Sequence, residues 1–240
     1  MVGVYFFYPR QFEITKYGFK KTERFRTKFL LETIEDLKKN LASHNISLLI
    51  FHDKPENVFP KLIEDYDIST VFTQKEWTKE EIEIADNLKN SIPHLNWQET
   101  YDQFLFHPED IPYQSFNKVP EVFTEFRKKC ERESKVRGCV KINNQSEENL
   151  IKTLNKIPTL KELGFDEFEI DENAAFPFFG GETEALKRIK NYFFETENLS
   201  IYKKTRNGLI GENYSSKLSS WLANGSISAR TIYWESQKYE

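Results

Sequence analysis

Three serines, Ser215, Ser216 and Ser219, surround Lys217 at the foot of an apolar segment in the last third of the chain. Hydroxyl donors, one cation and the unpaired backbone N–H groups of a helix start together suit a phosphate, because the donors and the helix dipole both favour negative charge. The same serines equally suit plain helix N-caps, in which a side-chain oxygen accepts from the first turn. Both readings stand on the residues alone. Gly208 and Gly211, in the polar loop ahead of them, permit backbone conformations that other side chains resist. Just upstream, Lys203, Lys204 and Arg206 form a local basic cluster, fit for phosphate contact or for simple solvation.

Other reactive residues carry less. His52 beside Asp53 has the types of an acid–base pair, but His44, His94 and His107 show no metal or triad spacing, and all four read as surface or loop residues. Cys130 and Cys139 lie in a charged segment without a metal-type pair, and two free thiols are expected. No catalytic side chain and no metal ligand is assigned. Neither a Gly-x-Gly-x-x-Gly nor a P-loop follows any predicted strand, which speaks against an ordinary dinucleotide or nucleoside-triphosphate site.

The elements that must position these residues are of two kinds. The first half alternates short apolar runs with helical patterns: strands at Val2 to Phe7, Ile46 to Phe51, Thr70 to Thr73 and near Leu95 to Gln98, and helices at about Glu23 to Leu41, Val58 to Tyr66 and Lys79 to Leu88. Phe25, Phe29, Ile34, Leu37 and Leu41 share a face of the first helix. This predicts a parallel α/β layer, which binds ligands beyond the carboxyl ends of its strands. From Glu99 to Phe178 prolines punctuate a looser connection holding a charged helix from Glu121 to about Arg137, and Phe116, Phe123 and Phe126 are expected to pin it to a neighbouring surface. Beyond Gly180-Gly181 the period is helical throughout, with Ala185, Leu186, Ile189, Tyr192 and Phe193 on one side.

At 240 residues and 38% hydrophobic content the chain is of globular composition, and its net charge of −4 argues against a general nucleic-acid coat, so any DNA contact must be local. Apolar runs are far too short to span a bilayer, and Met1 to Phe7 lacks the features of a signal peptide; no membrane partner and a cytoplasmic location are expected. Nothing in the sequence sets an oligomeric state.

Four blocks in order, Tyr5 to Phe19, Val119 to Lys128, Phe179 to Leu186 and Thr205 to Arg230, resemble the photolyase/cryptochrome family, most closely its cryptochrome DASH branch. The resemblance implies an α/β fold: a parallel, Rossmann-like antenna domain over 1–112, an interdomain linker over 113–175, and the beginning of an all-α FAD-binding domain over 176–240. Carried over residue by residue, it places Tyr202, Ser215, Ser216, Lys217, Leu218 and Ser219 at the phosphate end of FAD, and Arg206 at the DNA groove beside a lesion pocket. It implies light-driven repair of cyclobutane pyrimidine dimers, favouring single-stranded DNA, by a carbon–carbon lyase. A photosensor without repair and a non-catalytic fragment are the alternatives. An antenna folate, methenyltetrahydrofolate, belongs to the resemblance without any residue here assigned to it, since the acids of the Glu76–Glu81 loop suit a pterin or plain solvation alike.

The chain departs from the family in four places. Ser220 and Ala229 stand where DASH-like sequences usually have proline, and Asn224-Gly225-Ser226 replaces an apolar turn. Val2 to Phe7 matches the family's second strand, so a gap is expected between it and the Thr70 strand. Trp234 is expected to pack onto a helix beyond the chain, and the 240-residue chain alone is expected to be inactive.

Overall fold

In the computed structural model, which describes residues 1–152 and 155–240, strand β1 (Val2–Phe6) pairs in parallel with β2 (Ser47–Phe51), from Val2 opposite Ser47 to Phe6 opposite Phe51. Strand β3 (Thr70–Gln74) pairs in parallel with β4 (Asn96–Thr100). Helices α1 (Arg24–Ser43), α2 (Pro55–Tyr66) and α3 (Lys79–Ser91) connect them, giving the expected strand–helix alternation. β2 is a near-continuous apolar run and is buried over Ser47 to Ile50, the pattern of a strand covered on both faces. Among the described residues β1 and β3 share no ladder, so the layer is two parallel pairs, as anticipated from the family comparison. Phe6 bridges them: its ring stacks on Phe51 at 5.7 Å and Phe59 at 5.8 Å, and it packs against the cluster of Phe59, Leu88, Ile92 and Leu95.

Helix α1 serves two neighbours, which corrects the single-face expectation. Ile34 joins Phe7, Phe12, Leu48 and Ile50 under the sheet, while Phe29 packs on the helical part of the chain. Two burial directions leave part of the periodic stripe outside: Phe25 is exposed, resting edge-on against Phe168 at 4.8 Å, and Leu37 is exposed as well. The connection also differs from expectation. Its helix α4 spans only Phe123–Glu133, and Phe116 (89% exposed) and Phe123 pin nothing. Phe126 stacks on Tyr113 at 5.7 Å and lies 6.3 Å from the ring of Phe123 within the same helix; the buried residue of α4 is Cys130. Cys139 is exposed.

Beyond residue 180 come α5 (Glu182–Ile189), a π-helical turn (Lys190–Glu195), α6 (Asn198–Thr205), α7 (Ser219–Asn224) and α8 (Ala229–Tyr239), with no strand among the described residues. Their core is Ala185, Ile189, Tyr192, Phe193, Leu218, Trp221 and Ile227; Leu186, expected inside, is exposed, about 100° round the helix from Ala185. None of the described helices is long and apolar enough to cross a membrane.

Two junctions hold these helices on the α/β layer. At the first, Gly180 lies so close to α1 that a Cβ there would sit 2.1 Å from the Phe29 carbonyl oxygen, and its N–H donates to Glu32 Oε2 at 2.8 Å. Gly181, at φ 106°, has no side chain to cap α5; Asp36 of α1 does so from outside, accepting from the Thr183 N–H at 3.0 Å and hydroxyl at 2.7 Å. Asn224 and Ser226, the polar departures from the family turn, also find partners here: Asn224 Nδ2 donates to Thr33 Oγ1 at 3.0 Å, and Ser226 Oγ to Asn224 Oδ1 at 2.6 Å. At the second junction Arg230 of α8 donates to the Tyr101 carbonyl at 3.3 Å and Asp102 Oδ1 at 3.4 Å. Trp234, expected to await a further helix, donates its indole N–H to the Arg137 carbonyl at 3.0 Å and rests against Tyr233.

Candidate functional site

The hydroxyl cluster lies on the stretch 212–219, between α6 and α7. The capping alternative fails there. The N-cap of α7 is Leu218, with no side-chain cap hydrogen bond, and among the described residues the Ser215, Ser216 and Ser219 hydroxyls make no hydrogen bond within the protein. Ser215 and Ser216 are half-buried, Ser219 is exposed and Leu218 is buried in the helical core. Lys217 has φ 61°, a left-handed conformation that a side chain with a Cβ adopts at a cost of roughly 1 kcal/mol or more, and right-handed Leu218 follows it (φ −70°, ψ −11°). A left-handed residue beside a right-handed one points successive N–H groups into one concavity, which favours anions. The Lys217 ammonium donates to the Tyr214 hydroxyl and lies 3.7 Å from that ring's centre, so the cation is fixed at the cluster.

Behind the loop is Arg188 of α5, which sequence reasoning missed. Its side chain is 5% exposed, and its five N–H groups meet five acceptors: Nε the Ser216 carbonyl at 3.0 Å, Nη2 the Glu212 carbonyl at 2.9 Å and Ser215 carbonyl at 3.1 Å, and Nη1 the Asn213 Oδ1 at 3.0 Å and Asn191 Oδ1 at 3.4 Å. Phe178 and Tyr192 face the guanidinium at 4.7 and 4.9 Å. Burial lowers the pKa of this group, against the influence of Tyr192 and Glu212, and burial likewise raises that of the Tyr192 phenol. Lys187-Arg188 reads as part of a solvated charge run; the only sequence clue was its place one residue before Ile189, at the edge of the apolar stripe.

Tyr202 and Arg206 lie on α6 and at its C-terminal end. Tyr202 is exposed on α6, and Arg206 is exposed at the C-cap of that helix, its N–H donating to the Tyr202 carbonyl at 2.9 Å. Gly208 then abuts Tyr214, such that a Cβ would lie 2.8 Å from the Tyr214 Cβ, and this close approach folds the end of α6 against the loop that holds Lys217. Among the described residues Lys203, Lys204 and Arg206 make no ion pair, so three exposed cations stand uncommitted at the end of α6.

The sequence model of the DNA photolyase family matches residues 1–146. The chain belongs to the DNA photolyase family. It is similar over its whole length to the cryptochrome DASH of Gloeobacter violaceus, at 38% identity and 48% of that protein, and to that of Danio rerio, at 39% identity and 47% of that protein. The crystal structure of a cryptochrome from Synechocystis superposes with a TM-score of 0.89 at 35% identity, covering 99% of this chain and 49% of that one. The chain thus spans about half the length of the relatives it matches.

Within this photolyase fold, two acids of the Glu76–Glu81 loop, Glu76 and Glu80, are engaged by protein. Glu76 accepts from Gln74 at 3.3 Å and Gln103 at 3.2 Å, and Glu80 pairs with Lys21 and, at 3.4 Å, with Arg10. The Lys21 hydrogen bond holds the Glu80 carboxyl below its usual pKa.

Proposed function

We propose that this chain forms the phosphate-gripping and DNA-facing part of a blue-light flavoprotein of the cryptochrome DASH type, acting on cyclobutane pyrimidine dimers with a preference for single-stranded DNA. The observation that carries the reading is the stretch 215–219, where serine hydroxyls that cap no helix and have no hydrogen-bond partner among the described residues flank a left-handed Lys217. That donor set fits the pyrophosphate of FAD: hydroxyls and N–H groups satisfy phosphate oxygens without a metal, and among the described residues no cluster of metal-binding side chains occurs. Tyr202, on α6, is assigned to the same phosphate end by the resemblance to the family. Held by these residues, a reduced flavin would supply the light-driven electron-transfer chemistry for splitting a pyrimidine dimer. Arg206, with Lys203 and Lys204, contributes a local positive patch on an acidic protein, placed to hold nucleic-acid phosphate beside the flavin. A dimer in a single strand is already unpaired, so presenting it costs less than extrusion from a duplex. We assign 1–112 to the α/β domain, 113–175 to the linker and 176–240 to the flavin domain.

The test is a chimera in which residues 1–240 replace the matching half of the Gloeobacter violaceus relative. It is expected to purify yellow with stoichiometric flavin, whereas the 240-residue chain alone is expected to be colourless and inactive. Phosphate contacts without the apolar burial of a flavin ring, which contributes about 25 cal/mol per Å², must compete with water. A folded, colourless chimera would overturn the reading.

In the same chimera Arg206→Ala is expected to weaken binding to dimer-containing single strands and to lower the dependence of log K on log salt by about one phosphate contact. An unaltered slope would return Arg206 to a solvated loop cation.

A further inference from the structure

Arg188 collects the carbonyl oxygens of Glu212, Ser215 and Ser216 on one side of the loop. In a trans peptide the C=O and N–H of one unit point in opposite directions, and the chain has no cis peptide bond among the described residues. Turning those three carbonyls inward therefore turns the N–H groups of Asn213, Ser216 and Lys217 away from Arg188. None of these three amides makes a hydrogen bond within the protein among the described residues. The loop is thus polarised: acceptors bind the buried guanidinium and donors face outward beside the free serine hydroxyls.

We infer that Arg188 is the positioning residue of the anion site, setting the direction of the Asn213, Ser216 and Lys217 amides so that they receive a diphosphate; this rests on reading 215–219 as the flavin-phosphate cradle. Without the guanidinium, three carbonyls on the inner side would lack donors, and the loop would turn them toward water, carrying the amides off the anion. The buried charge acts in the same direction. Among the described residues Arg188 forms no ion pair, and a cation behind a thin loop in a low-dielectric setting attracts an anion on the far side. Arg188 does not touch the diphosphate in this arrangement. Lysine cannot replace it, since an ammonium has three donors on one nitrogen and lacks the planar fork that spans five acceptors.

The experiment titrates inorganic pyrophosphate into the isotope-labelled 240-residue chain and follows the amide signals of Asn213, Ser216 and Lys217, with thermal unfolding recorded alongside to verify the fold. In the wild type these signals are expected to shift saturably and together. In Arg188→Met the dissociation constant is expected to rise by about tenfold or more, and in Arg188→Lys by about threefold, because one or two of the carbonyls keep a donor. If Arg188→Met folds and binds pyrophosphate as the wild type does, the inference is overturned while the cradle stands. Should that variant fail to fold, Arg188→Lys decides on the same reading, and unchanged affinity overturns the inference. A wild-type chain showing no saturable shift over 213–219 overturns the cradle itself and the role of Arg188 with it.

Discussion

Replacing Trp221 with alanine is expected to destabilise the protein by about 4 kcal/mol, from the roughly 3–5 kcal/mol of a large aromatic-to-alanine cavity and the orphaned carbonyl beside it. Trp221 is 0% exposed, and its ring lies 6.0 Å from Phe29, 5.3 Å from Phe176 and 5.6 Å from Phe178. Its indole N–H donates to the Phe179 carbonyl at 3.1 Å. One side chain of α7 thereby joins α1, the connection and the loop that precedes Gly180. Few neighbours can collapse into the space, since Phe176 and Phe178 are held against each other at 5.3 Å. With total stabilities of about 5–15 kcal/mol, such a loss removes a large share of the reserve. Urea unfolding should show the midpoint falling by roughly 1.3–2 M for a slope near 2–3 kcal/mol per M. Trp221→Phe, which keeps most of the area but not the donor, should lose about 1–2 kcal/mol. A loss under about 1.5 kcal/mol in Trp221→Ala would show that α7 is not held through this residue.

The order of elements was legible because it follows from local periodicity. Ser47 to Phe51 is short, apolar and flanked by helical patterns, and no other assignment buries it as well. The break between β1 and β3 was open only to comparison with the family, since ladder pairing depends on neighbours in space and leaves no mark on either strand. Periodicity also overstated α1: it finds one stripe, whereas Phe29 and Ile34 of this helix face different cores and Phe25 faces neither. At the site the residue types were readable but their partners were not. Serines ahead of a helix look the same whether they cap it or leave their hydroxyls free, and the left-handed backbone at Lys217 with Leu218 as the N-cap is what separates the two. Arg188 was hidden for a physical reason. A buried arginine is tolerable only where its five donors are met, and its acceptors here come mainly from residues 24 to 28 positions away.

Replacement of Ser215, Ser216 and Ser219 together by alanine, in the flavin-bearing chimera, is expected to lower flavin affinity by about a thousandfold. Each hydrogen bond to a charged phosphate oxygen contributes roughly 1.5–3 kcal/mol, and three of them would sum to more than this. Neighbouring hydroxyls on one ligand are not independent, however, and the outward amides remain, so the combined loss should fall at the low end. The fold should be untouched. Among the described residues none of the three hydroxyls holds another part of the protein, and α7 uses none of them as a cap, so thermal unfolding of the apo form should move by no more than about 0.5 kcal/mol. That contrast is the point of the experiment: helix-capping serines would cost about 1 kcal/mol each in stability and nothing in flavin. Spectroscopic flavin content after gel filtration, read beside the melting curve, separates the two. Retained flavin at full occupancy would assign the hydroxyls to solvent and leave the anion to the amides of the loop.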